Sequence, residues 1–98
     1  MNIRKEQNAD TLNIALEGRL DTATAPELEA ELKSSLDGAS ALVLDFEKLD
    51  YISSAGLRVL LSAQKVMVKK GGMKVIHVNE NVMEIFEVTG FSDILDIE

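Results

Sequence analysis

The chain has 98 residues, 46% of them hydrophobic, which supports one modest core and not two, so residues 1–98 are read as a single domain. A formal net charge of −7 repels nucleic-acid phosphates, and the absence of cysteine excludes a disulfide framework or a thiolate zinc site and leans toward a reducing compartment. No apolar run approaches the roughly 18 residues that span a bilayer, and Met1-Asn2-Ile3-Arg4-Lys5-Glu6 lacks a signal-peptide core, so a cytoplasmic chain with a protein partner, and neither membrane nor nucleic acid, is expected.

Leu12, Ile14 and Leu16 alternate with Asn13 and Ala15, as in a strand with one buried face. Residues 3–7 pair with it as an edge strand through a turn at Asn8-Ala9-Asp10, which makes the opening a hairpin. Thr24-Ala25-Pro26-Glu27 reads as a capping box with Thr24 as N-cap and Pro26 in the first turn. Leu28, Leu32 and Leu36 line one face of the helix that follows, and Asp37-Gly38 ends it. Residues 41–46 form a strand apolar on both faces, and therefore central. A second helix follows the corner at Ser53-Ser54 and stops at Lys69-Lys70-Gly71-Gly72. Residues 73–78 are the next strand, Asn79 caps a third helix carrying Val82, Ile85, Phe86 and Thr89, Gly90 closes it, and residues 94–97 are a last short strand. The order β-β-α-β-α-β-α-β calls for an α/β fold with a mixed, largely parallel sheet, an N-terminal hairpin and three packed helices.

The corner Asp50-Tyr51-Ile52-Ser53-Ser54-Ala55-Gly56-Leu57-Arg58 carries the functional information. A serine at a helix start is first of all a cap, satisfying an unpaired N–H of the first turn, and the same N–H groups and the helix dipole favour an anion such as a phosphate. Gly56 in the first turn costs about 1 kcal/mol relative to alanine, so a close backbone approach is expected there.

At about 100° per residue, Arg58, Ser62, Lys65 and Lys69 form one polar stripe, with Leu57, Leu60, Ala63, Met67 and Val68 opposite as core. Ser54 projects onto the polar side, four residues before Arg58, which can pair with a phosphate on it. Ala55, Val59 and Val66 flank the stripe on one side and Leu61 on the other. Ala55, Arg58 and Val59 are therefore expected to border a partner surface, and a charge at Val59 is expected to spare the fold.

Gly18-Arg19-Leu20-Asp21, the apolar strand ending near Asp45, and Tyr51-Ile52-Ser53-Ser54-Ala55-Gly56-Leu57 together resemble the STAS domain, and most closely its stand-alone anti-sigma factor antagonists. The resemblance covers nearly the whole chain. It implies a STAS-like fold and a partner-switching role, in which the unphosphorylated antagonist binds an anti-sigma factor serine kinase and frees the sigma factor. It also implies that the kinase phosphorylates a Ser or Thr two residues before the glycine, here Ser54, and that a PP2C-type phosphatase reverses it. The chain departs from the pattern at Ser53, where many antagonists have Asp and which becomes a competing acceptor, at Ala55, and at Arg19, where the residue is often acidic. Asp21 is implied as a surface contact, and reads equally as a turn or capping carboxylate. Many members continue into another helix beyond the point where this sequence stops at Glu98, and the surface that helix covers is expected to be open here or shielded by a partner.

Catalysis has little support. His77 is the single histidine, the seventeen acidic residues show no metal-loop spacing, and no glycine-rich phosphate loop is present. The expectation is a binding protein that is itself a kinase substrate, with no enzyme activity, cofactor or metal. The alternative is a STAS subunit of another assembly, a lipid-transport complex or a signalling scaffold, whose Ser54 corner packs constitutively on its partner.

Overall fold

A computed structural model describes residues 1–98. The elements are β1 (Asn2–Asn8), β2 (Thr11–Leu20), α1 (Ala25–Ser35), β3 (Ala41–Ile52), α2 (Ser54–Met67), β4 (Met73–Ile76), α3 (Glu80–Thr89) and β5 (Asp96–Ile97), with single 3-10 turns at Leu36–Gly38 and Phe91–Asp93. β1 and β2 form the expected antiparallel hairpin, with Ala9 at φ +56° in its tight turn. The remaining pairings are parallel and the spatial order is simply β1-β2-β3-β4-β5, which puts β3 at the centre.

That monotonic order decides where the helices go. A right-handed crossover places its helix on a fixed side of the sheet, so three crossovers stepping in one direction place all three helices on the same face. Leu12, Ile14 and Leu16 of β2, Leu42, Leu44 and Phe46 of β3, and Met73 and Val75 of β4 accordingly join α1, α2 and α3 in a single core of 24 buried apolar residues. No polar or charged residue is buried in it. The other face, with Asn13 and Ala15 of β2 and Val43 and Asp45 of β3, carries no helix and is only half-buried. The expectation that β3 is covered on both faces is corrected: it is central, but one-sided.

β3 is also twice as long as its apolar run predicts. Beyond Phe46 the buried positions are Leu49 and Ile52, three apart, because the register against β2 shifts between Ala15 and Glu17 and again between Gly18 and Arg19. A bulged strand breaks the period-2 alternation that marks strands in a sequence. β2 likewise runs through Gly18 to Leu20.

Two helix starts behave differently. Asn79 caps α3 as expected, its Oδ1 accepting from the Val82 N–H at 2.9 Å while its Nδ2 donates to the Leu49 carbonyl at 2.7 Å. Thr24 does not form the capping box, because its hydroxyl accepts from the Asp21 N–H at 2.9 Å and donates to the Arg19 carbonyl at 2.8 Å. α3 ends as predicted at Gly90, whose φ of +82° is left-handed.

In α2, Leu57, Leu60, Ala63 and Met67 are core as expected, but two assignments change. Val59 is buried at 5% exposure, because α1 lies beside α2 and draws the buried arc around toward its own side. Val68 is 66% exposed, since the helix ends at Met67 and the residue falls beyond the core. Leu60→Ala is expected to cost about 2–5 kcal/mol by urea unfolding with an unchanged m-value. Val59→Asp, against the sequence expectation, should unfold or severely destabilise the domain by burying an unpaired carboxylate; a cooperative melt near that of the wild type would contradict this packing.

Candidate functional site

Two chain corners meet at one end of the sheet. β2 leads into the loop 21–24 before α1, β3 leads into the Ser53-Ser54 corner before α2, and the Ser53 N–H donates to the Leu20 carbonyl at 2.9 Å, tying them together. Asp21 organises the first corner. Its Oδ1 accepts from the Ala23 N–H at 3.0 Å and the Thr24 N–H at 3.1 Å, and its carbonyl accepts from the Ala25 N–H at 2.8 Å. The Thr24 N–H is the main reason the Asp21 carboxyl lies below the ordinary range; slight burial opposes it, while the Thr24 hydroxyl, the Ala23 N–H and the Arg19 charge add to it. Of the two local readings of Asp21, the geometry is that of the turn carboxylate, holding the loop ahead of α1. Its second oxygen, Oδ2, is 3.8 Å from Arg19 Nε.

At the second corner, Gly56 explains itself. A Cβ there would lie 2.7 Å from Leu20 Cγ and 2.8 Å from Ile52 Cγ1, so the first turn of α2 rests directly on the ends of β2 and β3. Ser53 is the N-cap, with extended backbone at φ −99° and ψ 176°, but its hydroxyl makes no capping bond. That Oγ is enclosed and unpartnered, whereas Ser54, the first helical residue, is exposed. The two serines proposed as competing acceptors thus differ sharply in access.

Arg58, exposed and without an ion pair, stands one turn beyond Ser54. With Ala55, Val59 and Ser62 it forms one wall of a shallow groove of about 380 Å³, and Thr22, Ala25, Pro26 and Glu29 form the other. The groove's edge of Val59 is the little that this buried side chain shows to solvent. Ala55 is half-buried beside it. The structure thus brings Asp21, Ser53, Ser54, Ala55, Gly56 and Arg58 to one end of the molecule. The α1 wall escaped the sequence reading, because nothing in the helix pattern says which helix lies alongside α2.

A second constellation lies on the open sheet face. His77 ends β4 at φ +57°, where a strand through residue 78 was expected, and its Nδ1 is 2.9 Å from Asp45 Oδ1 and 3.8 Å from Glu47 Oε2. The Asp45 hydrogen bond and charge, with a smaller contribution from Glu47, hold the His77 imidazole above its ordinary value against slight desolvation. For Asp45, partial burial would raise the carboxyl, but the Glu47 N–H and His77 outweigh it and hold it low. No three His, Cys, Asp or Glu side chains are grouped to hold a metal ion.

The family model described as "Mlab, STAS domain" matches residues 3–96. The chain belongs to the STAS domain family. Among its relatives, the anti-sigma-B factor antagonist of Bacillus subtilis is 29% identical over 98 residues, covering 99% of this chain and 90% of that protein. BtrV of Bordetella bronchiseptica, provisionally named an anti-sigma factor antagonist, is 38% identical over 84 residues, covering 84% of this chain and 72% of its own length. The solved structures of SpoIIAA, a Bacillus cell-fate determinant and anti-sigma factor antagonist, match at TM-score 0.77 unphosphorylated and 0.76 phosphorylated. They cover 99% of this chain and 87% and 91% of theirs, and at 16% and 17% identity they show the same fold.

Two outcomes follow from this geometry. Gly56→Ala should lower stability by about 1–3 kcal/mol, since Leu20 and Ile52 must move, and a melt at or above the wild-type temperature would refute the close approach. His77→Asn keeps a residue that tolerates the left-handed backbone but removes the ion pair. Because folding raises the His77 pKa, the pair's stabilisation is full below the unfolded value near 6.5 and fades as pH rises through the folded value. Thermal melts should therefore show wild type and variant separated below the unfolded value near 6.5 and converging as pH rises through the folded value, with the gap narrowing again once acid protonates Asp45.

Proposed function

We propose that this chain is an anti-sigma factor antagonist whose unphosphorylated form binds an anti-sigma factor serine kinase through the corner of Asp21, Ser53, Ser54, Ala55, Gly56 and Arg58, and whose phosphorylation at Ser54 breaks that complex. The observation that carries the reading is the contrast at the corner: an exposed serine on the first turn of α2, next to a serine whose hydroxyl is enclosed. A kinase reaches Ser54 without opening the fold, and does not reach Ser53. Family membership and relatives named as anti-sigma factor antagonists support the same role. In this reading a PP2C-type phosphatase restores the binding form, the chain is a cytoplasmic kinase substrate rather than an enzyme, and Val59 shapes the groove wall rather than meeting the partner as an exposed margin. No helix is long and apolar enough to cross a membrane.

The switch is electrostatic. A phosphate on Ser54 adds about −1.5 to −2 charges, and at a helix N-terminus this favours the fold by about 0.3–1 kcal/mol, with Arg58 one turn away to hold it. A partner surface that covers Ser54 offers no such compensation. An imperfectly paired dianion costs several kcal/mol on burial, and each 1.4 kcal/mol is a factor of about ten in affinity.

The decisive experiment incubates the protein with the serine-kinase anti-sigma factors of its genome and ATP, followed by intact-mass analysis and peptide mapping. One phosphate on Ser54, absent in Ser54→Ala, with kinase affinity lowered at least roughly tenfold and the melting temperature held, is the expected result. Modification of Ser53 alone, or an affinity loss that tracks unfolding, would reject it. The family model's own description keeps the constitutive STAS subunit as the second reading, which expects no phosphate in the same measurement.

A further inference from the structure

The two register shifts between β2 and β3 have an effect at the surface. Gly18, at φ +108°, stands at the second shift, and from there Arg19 pairs with Tyr51 while Leu20 pairs with Ile52. Leu20 and Ile52 are buried beneath α2. By strand alternation Arg19 and Tyr51 face the other way, out of the helix layer. The guanidinium carbon of Arg19 lies 4.4 Å from the centroid of the Tyr51 ring, a cation–π stack, while Nε keeps its 3.8 Å approach to Asp21.

This arginine is held, but its terminal N–H groups are not taken up. Its side chain is 61% exposed, and beyond the 3.8 Å approach of Nε to Asp21 its guanidinium has no ion-pair or hydrogen-bond partner in the chain. The stack fixes the plane of the guanidinium and leaves its donor fork free, so the ordering cost that a flexible cation meets on binding is already reduced. Its location is not neutral. The Arg19 carbonyl accepts from Thr24 Oγ1, and the neighbouring Leu20 carbonyl accepts from the Ser53 N–H, so the stack hangs from the same two corners that form the Ser54 site. Arginine and tyrosine are also the residue types that most often dominate binding energy in protein interfaces. A free planar fork of N–H donors fits a carboxylate, which it can engage with two parallel bonds.

Resting on the partner-binding reading above, we propose that the Arg19–Tyr51 stack is a specificity-determining part of the kinase-binding surface, receiving a carboxylate of the anti-sigma factor kinase that straddles the end of the sheet. Arg58 serves the helix side of the corner, on the face that carries Ser54. Arg19 serves the sheet side. The chain as a whole carries a net charge of −7, so the fixed Arg19, together with Arg58, gives an acidic partner surface a cationic corner to dock against on an otherwise repelling molecule.

The test measures affinity for the serine-kinase anti-sigma factors of the same genome by calorimetry, using the full chain and the variants Arg19→Glu, Arg19→Lys, Tyr51→Leu and Ser54→Asp, each with its melting curve. Arg19→Glu should weaken binding at least roughly tenfold with the melt retained, and Arg19→Lys should fall between it and the wild type, since lysine keeps the charge but not the fork. The losses from Arg19→Lys and Tyr51→Leu should be non-additive in the double variant, because each acts on the same stack. Reversing one acidic residue of the kinase to lysine should restore binding to Arg19→Glu and weaken it to the wild type. If Arg19→Glu binds as the wild type does while Ser54→Asp loses binding, the stack is not in the interface and the Ser54 reading stands. If the wild type binds none of these kinases and takes up no phosphate, both fall. If Arg19→Glu melts early, Tyr51→Leu and Arg19→Lys carry the test, and full affinity in both overturns the proposal.

Discussion

The first turn of α2 lies against the ends of β2 and β3 so closely that no side chain fits at position 56, where even a methyl carbon would come within 2.8 Å of both Leu20 and Ile52. This contact sets the height of the helix start above the sheet, and with it the position of everything on the corner. Ser53 is pressed into the angle between strand and helix, where its N–H reaches the Leu20 carbonyl and its hydroxyl is enclosed. Ser54, one residue on, is turned outward. A wider gap at Gly56 would let water reach both hydroxyls and erase the difference between them.

The same end of the sheet concentrates unspent polar capacity in a molecule whose core is built of apolar side chains alone. All 24 core side chains are apolar and no charge is buried, so the fold rests on apolar packing and backbone pairing. Its charged groups are free for the surface. Asp21 spends one carboxylate oxygen on the turn and keeps the other facing Arg19. Arg58 has no partner. The dipole of α2 adds partial positive charge at Ser54. A serine in that field is a place where the domain tolerates a phosphate.

The one-sided sheet has consequences of its own. Because every parallel crossover steps the same way, the helices share a face and the reverse face remains a surface of strands, with Ala15 and Val43 framed by Arg4, Glu6, Asn13 and Asp45. His77 closes its far end through Asp45. The left-handed backbone at His77 ends β4 after four residues, and the ring meets Asp45 of β3, which makes this pair a latch between neighbouring strands.

Local chemistry was legible in the sequence wherever it was settled over a few residues. The hairpin, the element order, the Asn79 and Gly90 caps, the leucine face of α1 and the need for a glycine at position 56 all follow from short-range sterics and periodicity, and the resemblance to the STAS domain rests on the same short motifs. The bulged half of β3 was not legible, because its buried residues fall three apart and imitate neither strand nor helix. Thr24 misled because its cap pattern competes with the turn just upstream, where the Asp21 N–H and the Arg19 carbonyl recruit the hydroxyl first. Val59 misled for a related reason: a helix's buried arc is set by its neighbours, and the angle at which α1 lies beside α2 is written in no single segment. The Arg19–Tyr51 stack belongs to this second class. Thirty-two positions separate the two residues in the chain, and only strand register, fixed by core packing on the opposite face, brings a guanidinium onto a ring.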